Sequence, residues 1–196
     1  MNRTTSMCVS AKSRARGVTL IELLITLAVL AILVAIGFPS MQEAFRTNRV
    51  SAFSNDLLAA AAYARSEAIR RTGEVAICAS PDPTAGGSDA VAAAATCSGL
   101  DWSRGWIVFV DADRDGQRQP GEEVLRVGEP HGFLSAQGST SFVLRYDRLG
   151  RAVGLPAAQT IDVRSIPCEA GRPARRLVGV SLIGRVSVDS TIRFCP

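Results

Sequence analysis

The stretch Gly17–Pro39, GVTLIELLITLAVLAILVAIGFP, decides how the rest of this chain is read. Between residues 18 and 38 the only polar side chains are Thr19, Glu22 and Thr26. A helix rises ~1.5 Å per residue, so this run is long enough to cross a hydrocarbon core of ~30 Å. Before it stand Arg3, Lys12, Arg14 and Arg16, with no acid among them. Cations beside an apolar span keep that end in the cytoplasm and send the rest of the chain across. Glu22 is the anomaly. An isolated carboxylate inside a span costs ~2.5–3.5 kcal/mol on insertion scales, so it calls for a partner.

Cutting the chain after Gly17 would supply one. The new amine at Val18 would lie one helical turn from Glu22, at the i,i+4 spacing that places two groups on one face. The run Gly17-Val18-Thr19-Leu20-Ile21-Glu22-Leu23-Leu24 resembles the class III signal of type IV prepilins and type II secretion pseudopilins. That resemblance implies a dedicated prepilin peptidase that cuts between Gly17 and Val18 and methylates the Val18 amine. It implies that Glu22 pairs with a neighbouring subunit's amine as the filament assembles. It also implies a single-pass inner-membrane protein with its C-terminal domain in the periplasm and other pilins or pseudopilins as partners. Val18 stands where the family usually carries Phe. An ordinary secretory signal has an apolar core of 7–15 residues, shorter than this one. A plain membrane anchor explains neither Glu22 nor the Gly17 junction.

The expected divisions are a leader at 1–17, a transmembrane helix at 18–38, its amphipathic continuation at 39–72 and a periplasmic β domain at 73–196. Four of the 22 basic residues lie in the leader, which leaves 18 cations against 18 acids beyond it. Lys12 is the single lysine, so every later cation is an arginine, suited to bidentate contacts. Cys8 belongs to the leader, and Cys78, Cys97, Cys168 and Cys195 remain. Four cysteines allow three pairings. Closure of short local segments favours Cys78–Cys97 and Cys168–Cys195, and oxidation suits an exported domain.

Pro39 removes a backbone bond and is expected to kink the helix. From Ser40 to Thr72 the apolar positions Val50, Phe53, Leu57, Ala61, Ala64 and Ala68 step by threes and fours, the stripe of a helix lying on a core. Arg46, Arg49, Asp56, Arg65, Glu67 and Arg71 are expected opposite it, with Gly73 as terminator. Short runs of period two then predict strands at 74–79, 105–111, 123–127, 139–146, 160–166, 175–183 and 185–194. Residues 80–100 read as a small-residue loop. The fold class is therefore α+β: a long N-terminal helix packed on an antiparallel, sandwich-like β domain. Ile77-Cys78, the run Asp101-Trp102-Ser103-Arg104-Gly105-Trp106-Ile107-Val108-Phe109, Asp111-Ala112-Asp113 and Gly184-Arg185 resemble the GspH/FimT branch of minor pilins and pseudopilins. The branch implies a low-abundance structural subunit near a filament tip, serving secretion or pilus biogenesis.

Two charged tracts are candidate sites. Asp111, Asp113 and Asp115, then Gly116 and, after five more residues, Glu122 match the calcium-loop expression, with oxygens at alternate positions and glycine at the sharp turn. Its flanks read as strands rather than helices, and a hairpin rich in Asp and Gly has Asx turns without any metal. Residues 140–196 carry a charge of +5, and Arg172, Arg175, Arg176 and Arg185 cluster near the C-terminus. Such guanidiniums could hold DNA through its phosphates, the alternative function being DNA uptake. FimT-like subunits that act in uptake carry a Gly-Arg-x-Arg motif, of which Gly184-Arg185-Val186-Ser187 keeps the first half. A solvated, ion-paired face is the simpler reading. Trp102 and Trp106 read as core residues and His131 as a loop residue. No G-x-S-x-G elbow and no second histidine exist, so neither catalysis nor a cofactor is expected.

Overall fold

Helix α1 spans Leu20–Arg71, 52 residues, and its helical course continues through position 39. The computed structural model describes residues 17–81, 96–189, 191 and 193–195. Residues 1–16 of the leader expected at 1–17, and most of the 80–100 loop, therefore lie outside the described residues. The chain forms two compact units, Met1–Ser40 and Met41–Pro196.

In the first unit, every large apolar side chain from Val18 to Phe38 is between 51% and 79% exposed. In the second, the predicted stripe is inward. Val50, Phe53, Leu57, Ala61, Ala64 and Ala68 are all buried, and Ala60 joins them. The remaining face carries ion pairs to the β domain: Arg46 to Glu169 at 3.0 Å, Asp56 to Arg126 at 2.7 Å and Arg71 to Glu123 at 2.6 Å. Glu67 departs from the expected polar face. It is 8% exposed, held between Arg70 and Arg71.

The helix ends in a Schellman motif, with Gly73 N–H donating to Ala68 O and Thr72 N–H to Ile69 O. The left-handed residue is Thr72, at φ +54°, and not the expected glycine one position later. The Thr72 hydroxyl donates to the Arg71 carbonyl.

Ten strands follow among the described residues: β1 Val75–Ala79, β2 Trp106–Val110, β3 Val124–Gly128, β4 Leu134–Gly138, β5 Val143–Tyr146, β6 Ala152–Val153, β7 Gln159–Ser165, β8 Pro173–Val180, β9 Val186–Val188 and β10 Arg193–Phe194. They form two antiparallel sheets, one ordered β3-β2-β1-β5-β6 and the other β10-β8-β7-β4 with β9 beside β8. One core holds the stripe of α1 together with Val75, Ile77, Trp106, Val108, Leu144 and Tyr146 of the first sheet and Leu134, Ala136, Ile161, Val163, Val178 and Val180 of the second. The opposite face of the first sheet buries Ala76, Cys78, Ile107 and Phe109. Both tryptophans are buried.

Besides end shifts of one to three residues in the other expected strands and the unexpected two-residue β6, three differences from expectation stand out. The strand expected over 139–146 is only Val143–Tyr146, because Ser139 and Thr140 give their hydroxyls to Gln159 Oε1. The unexpected β4, LSAQG, lacks β-branched residues but buries Leu134 and Ala136 in alternation against β7. The single strand expected over 185–194 is two, β9 and β10. Asp189 breaks it by accepting from the Thr191 N–H and hydroxyl, the turn chemistry of a short acid.

Trp106 lies opposite Gly128, and a Cβ there would stand 2.0 Å from the indole. Arg126 covers the same ring at 5.3 Å. Gly128→Ala should therefore destabilise the chain by about 1–3 kcal/mol in denaturant titration, as overpacked core sites do. A second measurement addresses Glu67. Hydrogen bonds from Arg70, then Arg71, hold its carboxyl down at about 2. A depressed acid contributes stability that is present above its unfolded value of ~4.3 and lost as pH falls through the folded one. The gap in thermal midpoint between wild type and Glu67→Gln should thus be open at pH 6 and closed near pH 2.

Candidate functional site

The N-terminal segment starts from residues that cap a helix. Gly17, Val18 and Thr19 precede α1. The Thr19 hydroxyl accepts from the Glu22 N–H at 3.3 Å, and the Thr19 carbonyl accepts from Leu23 N–H at 3.1 Å. Thr19-x-x-Glu22 has capping-box spacing, a signal present in the sequence itself. Glu22 thus stands in the first turn, where the helix dipole favours an anion. Glu22 is exposed, as are Val18 and Gly17 before it.

The acidic tract forms the loop between β2 and β3. Asp111, Asp113 and Asp115 each place a carboxylate oxygen within 4.8 Å of the other two. Each also caps the backbone ahead of it. Gly116 N–H donates to Asp111 Oδ2 at 3.1 Å, Asp115 N–H to Asp113 Oδ1 at 3.3 Å and Gln117 N–H to Asp115 Oδ1 at 2.6 Å. Gly116 takes φ +76°, the left-handed turn that the expression's glycine anticipates. Glu122, the fourth expected carboxylate, is not part of the cluster. Its two oxygens accept from the backbone N–H groups of Ala112 and Gln119. Burial pushes the Asp111 carboxyl up from its ordinary value, against the Gly116 hydrogen bond and the Arg145 charge.

The four arginines meet different surroundings. Arg175 and Arg176 are consecutive on β8, where side chains alternate between faces, so they point to opposite sides of the sheet. Arg175 pairs with Asp162 at 2.8 Å, and Arg172 pairs with Glu43 at 3.0 Å. The Arg176 Nε is buried without a hydrogen-bond partner. Arg185 is exposed on the turn into β9. Strand alternation thus divides Arg175 from Arg176, and local acids neutralise Arg172 and Arg175.

The Gly184-Arg185 pair has two different duties. Gly184 has φ +76°, a Cβ there would meet Ala152 Cβ at 2.7 Å and Tyr146 Cε1 at 2.8 Å, and its carbonyl accepts from the buried Tyr146 hydroxyl at 2.7 Å. Burial pushes the Tyr146 phenol up to about 12. This contact ties the first sheet to the β8–β9 turn. The disulfides Cys78–Cys97 and Cys168–Cys195 fasten the second unit further. The latter holds β10 beside β8. A surface groove of about 480 Å³ contains Arg49 stacked over Phe133 and Phe53 edge-on to His131.

An apolar N-terminal helical segment followed by a helix-backed pair of antiparallel sheets is the architecture of a pilin-type subunit. Residues 54–184, more than half of the chain, match the family model described as type II transport protein GspH. Residues 12–38 match the prokaryotic N-terminal methylation motif. The chain belongs to the GspH family. Comparison with curated proteins returns no significant match. Among solved structures it is similar to the type IV minor pilin FimU of Pseudomonas aeruginosa PAO1 in two crystal forms. The first shares 23% identity at TM-score 0.50, covering 72% of this chain and 89% of that one. The second shares 21% at TM-score 0.50, covering 71% and 91%. The likeness is one of fold.

The division of labour in the Gly-Arg pair predicts unequal substitutions. Gly184→Ala should lower stability by roughly 2 kcal/mol or more, from left-handed strain plus overpacking. Arg185→Gln should stay within ~0.5 kcal/mol by the same denaturant titration.

Proposed function

We propose that this chain is a minor pilin or pseudopilin, a structural, non-catalytic subunit that assembles at or near the tip of a type IV pilus or type II secretion pseudopilus. The observation that carries this reading is the methylation motif standing on a helix whose apolar side chains nothing in its own unit covers. A surface of that kind is left for lipid before assembly and for the helices of other subunits afterwards. The processing steps follow from the same motif: a prepilin peptidase cleaves between Gly17 and Val18 and methylates the Val18 amine. Glu22 then accepts a neighbouring subunit's N-terminal amine, a charge pair that removes the cost of a lone carboxylate in an apolar bundle. The similarity to FimU favours a filament subunit over a freely diffusing binding protein. The dispersed arginines give the DNA-uptake role no specific support.

Mass spectrometry of the protein from membranes should find Val18, methylated, at its N-terminus. An intact leader or a cut beyond Phe38 would refute the processing step. Glu22→Ala should insert and be cleaved as before, yet lose co-isolation with the filament by at least tenfold; undiminished incorporation would remove Glu22 from assembly.

A further inference from the structure

The loop between β2 and β3 carries an unanswered acceptor. Asp111 is 1% exposed, and its Oδ1 has no hydrogen-bond partner although Oδ2 is held by the Gly116 N–H. Buried carboxylate oxygens are normally satisfied, and an exception asks for an explanation such as an ion. The side chain belongs to the group of three whose oxygens lie within 4.8 Å of one another. The amide of Gln119 bridges the other two, its Nε2 lying 2.9 Å from Asp113 Oδ2 and 2.9 Å from Asp115 Oδ2. A donor midway between two carboxylates marks where a cation would sit. An ion entering there displaces the amide nitrogen, and the withdrawn amide can turn its oxygen toward the ion, since the two ends of an amide are set by their hydrogen-bond partners.

We propose that the β2–β3 loop binds one calcium ion through Asp111, Asp113 and Asp115, with Gln119 supplying a fourth oxygen. The loop is a hard, all-oxygen site, and its carboxylates come from alternate residues ahead of the left-handed Gly116, with Arg114 between them also left-handed at φ +68°. Glu122 stays where it is, tying Ala112 to Gln119 and so fixing the loop's two ends. The opposing charges are also near. Arg145 Nη1 is 3.6 Å from Asp111 Oδ2 and 3.6 Å from Glu74 Oε2, and it donates to the Arg114 carbonyl. Arg114 Nε lies 3.6 Å from Glu74 Oε1. These guanidiniums are shared with Glu74, which leaves Asp113 and Asp115 without a cation of their own among the ion pairs of the described residues. Magnesium is the poorer fit, because it demands a near-ideal octahedron at short distance and gives up water reluctantly.

The test is calorimetric titration of calcium chloride, and separately magnesium chloride, into the full chain in detergent after treatment with chelator. One calcium per chain should bind with Kd in the ~10⁻⁴–10⁻³ M class, at least tenfold tighter than magnesium. Calcium at ten times Kd should raise the thermal midpoint by ~3–6 °C. The double variant Asp113→Asn, Asp115→Asn changes exposed side chains and should abolish both responses while keeping the wild-type circular dichroism. Should that variant lose its fold, Gln119→Ala provides the same comparison with an expected loss of threefold or more in affinity. No saturable binding up to 10 mM calcium, equal affinity for magnesium, or unchanged affinity in the folded variant would overturn the assignment.

Discussion

The β domain depends on one strip of helix surface. Val50, Phe53 and Leu57 enter the core as large side chains, and Ala60, Ala61, Ala64 and Ala68 continue the same strip with almost none. Fully burying one of the larger three is worth ~1.5–3 kcal/mol, whereas a part-exposed ion pair contributes ~0–1 kcal/mol. The stripe therefore sets where the sheets meet the helix, and the surrounding pairs of Arg46, Arg71 and Arg126 set register. The alanines matter through what they omit: a surface without bulk lets β-strands from two sheets approach one helix closely enough to share a core.

Close approach then determines which residues are permitted elsewhere. Gly128 exists to admit the Trp106 ring, and Gly184 to admit Tyr146 and Ala152. Neither is a flexible joint; each is a place where a side chain from another strand occupies the space of a Cβ. The first sheet is apolar on both faces around β1 and β2, so those strands read as continuous hydrophobic runs rather than alternating ones. Cys78 lies on the face away from α1, where its disulfide to Cys97 fastens the chain beyond β1 without entering the main core.

The first unit follows the opposite logic. Among the described residues its large apolar side chains are exposed, and its helix is capped by Thr19 with Glu22 in the first turn. An apolar surface left open in this way accords with membership of the GspH family, the methylation motif and the pilin-like fold. The charged loops of the second unit are local devices by comparison. Carboxylates in the β2–β3 loop organise backbone N–H groups around a point, while Arg172 is spent on Glu43 and Glu169 and Arg175 on Asp162.

By itself the sequence determined the apolar span, the Gly17–Glu22 motif, the buried stripe of α1, the antiparallel character of the domain and the Asp-Gly turn after β2. All of these are local or periodic, so a few neighbouring residues carry the whole signal. Tertiary structure decided the rest. β4 is a strand because β7 offers it a ladder, not because LSAQG favours one. Glu67 turned inward between two arginines that, read one at a time, looked solvent-facing. Thr72 took the left-handed position because the helix had to end before β1, and Gly73 fell one residue late. Arg175 and Arg176 adjoin in the chain but face opposite sides of a sheet, and Glu122 serves the backbone rather than the three aspartates beside it. A linear pattern records which groups are present; only packing fixes the direction in which each one points.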